Sequence, residues 1–236
     1  FGPGKSGARL EASKAWMKDL VQAAGVPTAR YASFDQGQIE EAIEFLITFE
    51  PPYVIKTNGL AAGKGVLVTN SYDDAVMDIK QKLSGAAFGD AGRRIVIEEG
   101  LTGPELSLFA LCDGEKAVLI PTSAQDHKRL LDDDRGPNTG GMGCYSPVPS
   151  MSQADLEVLM DIAVHPTVQE LKKRDIDYRG VLFAGFILTP DGPKLLEYNV
   201  RFGDPEAQVI LPLMDSSFFD MIWEATNGRL KKYESR

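Results

Sequence analysis

Cysteine and histidine are scarce: the 236-residue sequence contains two of each. Cys112 and Cys144 lie far apart and form neither a Cys-x-x-Cys pair nor a cluster with histidine. This pattern excludes the common cysteine-based metal and redox motifs. Two scattered cysteines in a chain of this length are typical of reduced thiols in the cytosol, although the sequence leaves a disulfide between them open.

Long apolar runs and a surplus of positive charge are also missing. No stretch of about 18 apolar residues occurs, which excludes a membrane-spanning helix, and no signal peptide is recognisable. The 25 lysines and arginines are outnumbered by 34 acidic residues, which gives a formal net charge of −9. Such a chain repels nucleic acids and anionic membranes on average. We therefore expect a cytoplasmic protein whose partners are small molecules, with no nucleic-acid or membrane partner.

The hydrophobic pattern predicts helices and antiparallel hairpins in a mixed order. Helical periodicity marks residues 8–24, 39–47, 71–83, 152–173 and 216–226. Strand patterns mark residues 26–34, 53–56, 66–68, 94–99, 105–112, 116–121, 181–188 and 194–198. Residues 122–149, rich in Gly, Pro, Asp and Asn, are predicted to form a long polar loop. This order of elements indicates an α+β fold, not a repeating βαβ array.

Two glycine-rich segments in the first third of the sequence are candidate phosphate-binding loops. Residues 2–7 formally match the dinucleotide-binding fingerprint, but that motif follows a hydrophobic strand, for which there is no room, so a linker is the better interpretation. Residues 59–65 follow the predicted strand of Lys56 and contain Lys64. Their small side chains let backbone N–H groups approach a phosphate closely. The alternative interpretation of residues 59–65 is an ordinary hairpin tip.

A third glycine-rich segment and a polar strand carry further candidates. Residues 136–143 follow the basic run at 126–129, which suits a phosphorylated substrate, unless both belong to a solvated surface loop. Glu197, Asn199 and Arg201 alternate along a predicted strand and therefore share one face. A carboxylate, an amide oxygen and a guanidinium suit a magnesium ion and a phosphate better than an apolar core. The alternative is a solvent-facing edge strand.

Together these segments resemble the ATP-grasp superfamily and, within it, the phosphoribosylamine–glycine ligases of purine biosynthesis. The resemblance covers nearly the whole sequence and rests on residues 56–65 (KTNGLAAGKG), 125–129 (QDHKR), 136–143 (GPNTGGMG) and 197–206 (EYNVRFGDPE). It implies an α+β ATP-grasp fold in which two subdomains clamp ATP. Residues 1–31 and 111–236 would form the larger subdomain, with the metal and substrate site, and residues 32–110 the smaller lid.

The resemblance also implies roles for individual residues, of which Lys56 and Arg201 would be catalytic. The phosphates of ATP would lie against Lys14, Lys56, Gly63, Lys64 and Gly65. Adenine and ribose would lie against Glu98, Glu99, Leu101 and Glu105. A magnesium or manganese ion would be bound by Glu197 and Asn199. The substrates would face Asp126, Arg129, Asn138, Thr139, Gly140, Gly141, Met142, Arg201, Asp204 and Glu206.

The reaction that the resemblance implies has two steps. The carboxylate of glycine attacks the γ-phosphate of ATP to give glycyl phosphate, and the amine of 5-phosphoribosylamine then displaces phosphate to give glycinamide ribonucleotide. Catalysis of this kind is mainly positioning and charge neutralisation, so no Ser–His or Cys–His pair is needed. The strand at 181–188 lacks the carboxylate that many ATP-grasp enzymes carry there, so the number of metal ions stays open.

The family's N-terminal Rossmann-like and C-terminal domains are not expected within these 236 residues. We therefore expect the chain to bind MgATP but to turn over poorly by itself, and we expect a monomer. Three alternatives stay open: an ATP-grasp ligase for another acid or amine, a non-catalytic nucleotide-binding module and, from residues 2–7, a dinucleotide-binding module.

Overall fold

The computed structural model describes residues 1–60, 65–85, 93–132 and 135–230, with only the backbone of 137, 138 and 140. The chain forms two compact units. The large unit comprises Phe1–Leu10, Leu20–Thr28 and Gly103–Arg236, and the small unit comprises Glu11–Asp19 and Ala29–Thr102. The subdomain boundaries at 31/32 and 110/111 stay a prediction from the sequence.

The small unit is built on a four-stranded antiparallel sheet in the order β1-β4-β2-β3. Its strands are β1 Tyr31–Asp35, β2 Tyr53–Thr57, β3 Val66–Thr69 and β4 Arg94–Glu98. The helices of the first half of the chain are α1 Arg9–Ala12, α2 Lys14–Ala23, α3 Ile39–Leu46 and α4 Tyr72–Leu83. Apolar residues of α3, α4 and the sheet form one buried core. One face of the sheet therefore packs against these two helices.

Helix α4 begins at the predicted cap, because the side chain of Ser71 accepts a hydrogen bond from the backbone N–H of Asp74 at 3.2 Å. This bond satisfies one of the free N–H groups at the helix start. Ala75, Ile79 and Leu83 recur every four residues and are all buried. They form the apolar stripe by which α4 packs into the core of the small unit.

The large unit is built on a five-stranded antiparallel sheet in the order β7-β6-β5-β8-β9. Its strands are β5 Glu105–Asp113, β6 Ala117–Leu131, β7 Arg135–Tyr145, β8 Arg179–Thr189 and β9 Gly192–Asn199. Its helices are α5 Gln153–Leu159, α6 His165–Lys173, α7 Glu206–Ile210 and α8 Phe218–Thr226. Phe109, Ile120, Phe183 and Ile210 lie in its buried core.

The prediction of a long polar loop at 122–149 is wrong. Most of this segment belongs to β6 and β7, which pair with each other from Gln125 opposite Tyr145 to Leu131 opposite Arg135. A backbone hydrogen-bond ladder needs no apolar side chains, so a polar, glycine-rich sequence can form it when a neighbouring strand supplies the partner. The register shifts on either side of Arg129 also hide the alternation that marks a strand.

The helix predicted at 152–173 is interrupted by a π-helical segment, Met160–Val164, between α5 and α6. Pro166 follows this segment and has no N–H to donate within the helix. A π-segment shifts the hydrogen-bond pattern locally and so accommodates such a defect. Ser152 and Asp155 form a reciprocal capping box at the start of α5.

The strand predicted at 26–34 is found later in the sequence, as β1 at Tyr31–Asp35. Within the first part of the predicted range, Thr28 forms an isolated bridge to Leu195. Helix α7 was not predicted from the sequence. Both cysteines are free thiols. Among the residues with a described structure, we find no helix long and apolar enough to cross a membrane.

We expect Ile79→Ala to lower the free energy of unfolding of the small unit by about 2–5 kcal/mol, because it removes buried methyl groups and leaves a cavity. Met77→Ala on the same helix is the control, since Met77 is exposed and should change stability by less than about 0.5 kcal/mol. Chemical denaturation followed by circular dichroism measures both changes. Equal effects of the two variants would contradict the described packing of α4.

Candidate functional site

A buried ionic cluster lies in the small unit and consists of Lys18, Lys56 and Glu98, here called the lysine–glutamate cluster. The ammonium groups of Lys18 and Lys56 lie 3.1 Å and 3.0 Å from the same carboxylate oxygen, Oε2 of Glu98. The side chains are 0% exposed for Lys18, 10% for Lys56 and 2% for Glu98. Both ammonium groups therefore approach the same carboxylate oxygen in a nearly water-free setting.

The electrostatics of Glu98 are governed by its two lysines. Burial by itself would raise the pKa of this carboxyl group, but the charges of Lys56 and Lys18 outweigh it and hold the pKa below its usual range. The other oxygen, Oε1, is buried and has no hydrogen-bond partner among the described residues. Glu98 is therefore ionised, and only one of its two carboxylate oxygens has a hydrogen-bond partner among the described residues.

Strand pairing explains how the cluster forms. Strands β2 and β4 are antiparallel, with Val54 opposite Glu98 and Lys56 opposite Val96. Lys56 thus lies one diagonal step from Glu98 on the same face of the sheet, within reach of a long side chain. Lys18 reaches the carboxylate from helix α2.

Tyr31 lies next to the cluster. It lies opposite Glu98 on β1, and the ammonium of Lys18 is 5.7 Å from the centre of its ring. Its hydroxyl group donates a hydrogen bond to Asp19 Oδ1 at 3.2 Å. Burial, followed by the charge of Asp19, raises the pKa of Tyr31 to about 12.

The start of α2 is fixed to the residues that precede the second glycine-rich segment. Asn58 Oδ1 accepts hydrogen bonds from Ser13 Oγ at 3.0 Å and from the backbone N–H of Ala15 at 2.9 Å. The ammonium of Lys14 lies 3.4 Å from the carbonyl oxygen of Gly59. The predicted phosphate-binding residue Lys14 is therefore held next to the glycine-rich segment.

At the other end of this segment the carbonyl oxygen of Gly65 accepts three hydrogen bonds. The donors are the backbone N–H of Thr57 at 2.8 Å, its hydroxyl group at 3.0 Å and the ammonium of Lys82 at 3.3 Å. Gly65 is thereby fixed at the base of the segment. Gly63 and Lys64, which were predicted to contact phosphates, lie outside the described residues.

Glu99 and Leu101, predicted to line an adenine site, follow β4. The backbone N–H of Glu99 donates to the carbonyl oxygen of Arg30 at 2.9 Å, and its carboxylate accepts from the N–H of Arg30 at 3.0 Å. Leu101 is half-buried. These contacts fix the backbone after Glu98, and the roles of both residues stay predictions.

A second group of charges lies in the large unit and consists of Glu105, Asp126, Lys128 and Glu206, here called the acidic cluster. Lys128 Nζ is 3.3 Å from Glu105 Oε2 and 4.0 Å from Asp126 Oδ2. The side chain of Asp126 is only 4% exposed, and its Oδ1 has no hydrogen-bond partner among the described residues. The buried carboxylate of Glu206 is 3.5 Å from the hydroxyl group of Ser107.

The carboxylates of the acidic cluster influence each other. Burial raises the pKa of Asp126, and the charges of Glu206 and Glu105 add to this effect. Burial would lower the pKa of Lys128, but Glu105, Glu197 and Asp126 outweigh it and raise this pKa. Lys128 is therefore a firmly charged ammonium in electrostatic reach of Glu197, the predicted metal ligand.

Two glycines allow the close packing of the acidic cluster. Gly141 has φ +135°, and a Cβ there would lie 2.9 Å from the Pro205 ring and 3.4 Å from Asp126 Oδ1. A Cβ on Gly203 would lie 2.0 Å from Glu206 Oε2. The predicted substrate residues Asp126, Gly141 and Glu206 are therefore brought together.

The predicted metal ligands lie at the end of β9. Glu197 is opposite Gly185 on β8, and Asn199 is opposite Phe183. The guanidinium of Arg201 donates a hydrogen bond to Asn199 Oδ1 at 3.4 Å and another to the carbonyl oxygen of Phe202 at 3.0 Å. The structure thus brings the amide of Asn199 and the guanidinium of Arg201 together, but β9 ends at Asn199 and Arg201 lies in the bend that follows. That Glu197, Asn199 and Arg201 share one face of a strand stays a prediction.

Glu197 and Asn199 offer two hard oxygen donors, which fit magnesium by their chemistry. Within the described residues, no group of three or more His, Cys, Asp or Glu side chains could hold a metal ion. Two protein donors suffice where a nucleotide supplies further oxygens, which is the usual situation for magnesium in nucleotide sites.

The remaining predicted substrate residues lie on β6 and β7 or beside α7. Arg129 donates a hydrogen bond to the carbonyl oxygen of Gly136 at 2.8 Å. The hydroxyl group of Thr139 donates to the carbonyl oxygen of Lys128 at 2.9 Å and accepts from the backbone N–H of Gly141 at 3.1 Å. These contacts hold the hairpin together. For Arg129 and Thr139 the structure therefore describes a local structural role, and their contact with a substrate stays a prediction.

Three further residues of the predicted substrate set have different surroundings. Met142 is exposed, and Asp204 accepts a hydrogen bond from the side chain of Gln208 at 2.7 Å. Asn138 lies opposite Arg129 in the hairpin, and Asn138 and Gly140 are described by their backbones alone.

Two charged residues of these clusters were missed in the sequence. Lys18 lies on the helix that follows Lys14 and takes part in the lysine–glutamate cluster. A lysine next to Met17 on the apolar side of a predicted helix could have indicated a buried ion pair, since lysine is almost never fully buried unless it is paired. Lys128 was part of the recognised QDHKR stretch, but the assumed polar loop concealed its contact with Glu105.

Comparison with known proteins gives consistent matches. Residues 12–207 match the family model of the phosphoribosylglycinamide synthetase ATP-grasp (A) domain. The chain is 48% identical over 237 residues to phosphoribosylamine–glycine ligase of Caulobacter vibrioides, covering 99% of this chain and 54% of that protein. It is 48% identical over 233 residues to the trifunctional purine biosynthetic protein adenosine-3 of Drosophila melanogaster, covering 98% of this chain and 17% of that protein.

A solved structure matches as well. The crystal structure of phosphoribosylamine–glycine ligase from Thermotoga maritima has a TM-score of 0.86 and 40% sequence identity, with 97% of this chain and 57% of that chain covered. The chain therefore spans about half the length of the ligases that it matches.

We expect Glu98→Gln to lower the free energy of unfolding by about 3–5 kcal/mol at pH 7, because it leaves two buried ammonium groups without their shared carboxylate. The folded-state pKa of Glu98 lies below its ordinary value, so this stabilisation is present above the unfolded-state pKa of about 4.3 and is lost as pH falls through the folded-state pKa. Urea unfolding at several pH values between 7 and 3 measures the difference.

The control for this series is Glu44→Gln, since Glu44 is exposed on α3 and should change stability by less than about 0.5 kcal/mol. A difference between wild type and Glu98→Gln that stays constant down to pH 3 would contradict the ionised, lysine-bound state of Glu98.

Proposed function

We propose that this chain, which belongs to the phosphoribosylglycinamide synthetase ATP-grasp (A) domain family, is the ATP-dependent core that joins glycine to 5-phosphoribosylamine. Its fold is the α+β ATP-grasp fold that the sequence predicted. The observation that carries the proposal is the match over nearly the whole chain to proteins named phosphoribosylamine–glycine ligase. Because the chain spans about half of those proteins, activity, substrates and partners are proposals.

The proposed chemistry requires activation of a carboxylate. A carboxylate oxygen of glycine attacks the γ-phosphorus of ATP, the bond from this phosphorus to the ADP oxygen breaks, and glycyl phosphate forms. The amine of 5-phosphoribosylamine then attacks the acyl carbon, phosphate leaves, and the amine loses a proton to solvent. No bond to the protein is made, so catalysis depends on positioning and on charge neutralisation.

In the small unit we assign nucleotide phosphates to Lys14 and Lys56. The support is chemical: both are ammonium groups next to a glycine-rich segment whose ends are fixed at Asn58 and Gly65. We further assign adenine to the backbone at Glu98, Glu99 and Leu101, on the family resemblance. Lys56 would also counter the charge that develops on the transferred phosphoryl group.

In the large unit we assign the ribose hydroxyls to Glu105 and a magnesium or manganese ion to Glu197 and Asn199. A bound ion would lower the negative charge of the nucleotide phosphates. Arg201, whose guanidinium contacts Asn199, would bind the reacting carboxylate or phosphoryl group. A guanidinium suits this role because it stays charged and can donate two parallel hydrogen bonds.

We assign glycine and 5-phosphoribosylamine to the surface around the acidic cluster and the glycine-rich β7. Asp126, Gly141 and Glu206 support this assignment, because Gly141 lies against Asp126 and the charge of Glu206 acts on the same carboxylate, which places two polar carboxyl groups beside the glycine-rich strand. A protein with these substrates belongs in the cytoplasm, and the two free thiols agree with a reducing compartment. We also propose that the chain acts as a monomer.

We predict that the chain forms glycine hydroxamate when it is given ATP, magnesium, glycine and hydroxylamine, because hydroxylamine captures an acyl phosphate without the natural amine. Glu197→Ala should lower this rate at least about tenfold, since removing one group that stabilises a transition state typically costs a factor of 10²–10³. Glu157→Ala, an exposed site on α5, is the control. The ferric-hydroxamate colour reaction measures the product.

Two outcomes of this assay would overturn the assignment. Hydroxamate formation with another small acid but not with glycine would indicate an ATP-grasp ligase of different substrate. ATP binding without hydroxamate formation from any acid would indicate a non-catalytic nucleotide-binding module.

A further inference from the structure

The carboxylate of Asp126 in the large unit has one oxygen in need of a donor. The side chain is only 4% exposed, and its Oδ1 has no hydrogen-bond partner among the described residues. This oxygen lies against the backbone of Gly141, where a Cβ would approach it to 3.4 Å. A buried polar atom without a partner is costly, so the position favours a ligand that donates a hydrogen bond.

The surroundings of Asp126 indicate which kind of donor fits. The charges of Glu206 and Glu105 act on Asp126, and the described residues contain no group of three or more His, Cys, Asp or Glu side chains that could hold a metal ion. An organic ammonium group supplies both a positive charge and N–H donors. Glycine carries such a group at the end opposite to its reacting carboxylate.

Lys128 is the basic residue of this cluster. Its ammonium lies 4.0 Å from Asp126 Oδ2 and 3.3 Å from Glu105 Oε2. It therefore approaches Asp126 from the side of Oδ2, whereas Oδ1 is the oxygen without a described partner. Burial raises the pKa of Asp126, and the charge of Lys128 is the largest influence that lowers it.

Titratable groups on β5, β6, β7 and α7 also neighbour Asp126. The charges of Glu206 and Glu105 raise the pKa of Asp126, and that of His127 lowers it. Cys144, opposite Asp126 in the β6–β7 hairpin, stays a neutral thiol because burial raises its pKa to about 11. All of these groups remain when the lysine alone is replaced, so such a variant isolates the contribution of the lysine.

We propose that Lys128 is a positioning residue that keeps the carboxylate of Asp126 available for the ammonium group of glycine. The inference rests on the proposed function, which places glycine at this surface. Lys128 acts through Asp126 and touches no substrate itself. It thus sets how the affinity for glycine depends on pH, a role that the sequence did not indicate.

The pH dependence separates this role from simple packing. Only the ionised form of Asp126 binds an ammonium group, so affinity falls as pH falls through the pKa of Asp126. Without Lys128 this pKa is higher, and the loss of affinity begins at a higher pH. Above both pKa values Asp126 is ionised with or without the lysine, so affinity returns, whereas a packing defect would persist at every pH.

The first measurement needs no ligand. The side-chain carboxyl carbon of Asp126 is titrated by NMR in the wild-type chain and in Lys128→Met, and its signal is assigned by its absence in Asp126→Asn. We expect the midpoint to rise by about one pH unit or more in Lys128→Met, since a nearby opposite charge typically lowers a carboxyl pKa by about 1–3. Lys128→Arg, which keeps the charge, and Lys116→Met, an exposed site in the turn after β5, should keep the wild-type midpoint.

The second measurement is the dissociation constant of glycine, obtained by calorimetry with magnesium and a non-hydrolysable ATP analogue between about pH 5.5 and 8.5. At the acid end Lys128→Met should bind glycine at least about tenfold more weakly than wild type, because one pH unit in the midpoint corresponds to a factor of ten. At the alkaline end the two proteins should agree within about threefold. Circular dichroism checks that each variant folds, and Lys128→Gln, which loses the charge but keeps a donor, replaces Lys128→Met if that variant does not fold.

Three results would contradict the account, and they are distinguishable. An unchanged midpoint of Asp126 in folded Lys128→Met would overturn the role of Lys128. A loss of glycine affinity that is the same at every pH, or no loss at the acid end, would overturn it as well. Failure of the folded wild-type chain to bind glycine, together with the expected rise of the midpoint, would instead overturn the proposed function, since the titration of Asp126 is measured without a ligand.

Discussion

The carboxylate of Glu98 is the constraint on which the candidate nucleotide site depends. It lies at the end of β4, where β1 and β2 pair on either side, and it holds two ammonium groups on one oxygen. A buried charge of this kind contributes little net stability, but removing a single partner is costly. The position of Lys56 is therefore tied to the pairing of β2 with β4 and to the helix that carries Lys18.

In the large unit, carboxylates lie close to one another: Glu105 and Asp126 approach the ammonium of Lys128, and the charge of Glu206 acts on Asp126. Gly141 and Gly203 make this approach of carboxylates possible because they have no side chain that would collide with Asp126 or Glu206. The lysine–glutamate cluster thus brings two ammonium groups together, and the acidic cluster brings carboxylate oxygens together. The proposed reaction of a polyanionic nucleotide, a divalent cation and an amino acid would need both kinds of group.

Much of this organisation was predictable from the sequence because it follows from local rules. The cap at Ser71 and the apolar stripe of α4 are encoded within thirteen residues, and Asn199 and Arg201, which are in contact, are only two positions apart. The β6–β7 hairpin was not predictable in this way, since its polar residues gain their order from backbone pairing, and the register shifts hide the alternation that marks a strand. Lys18 was missed for a similar reason: its partner Glu98 is eighty positions away, and only the fold brings the two together.

The central claim is that the lysine–glutamate cluster presents Lys56 to the phosphates of ATP. Titration calorimetry of the chain with MgATP, comparing wild type with Lys56→Met, tests it most directly. The account predicts micromolar binding by wild type and a loss of at least about tenfold in the variant, equivalent to about 1.4 kcal/mol. Equal affinity of two folded proteins, or no binding by either, would contradict it.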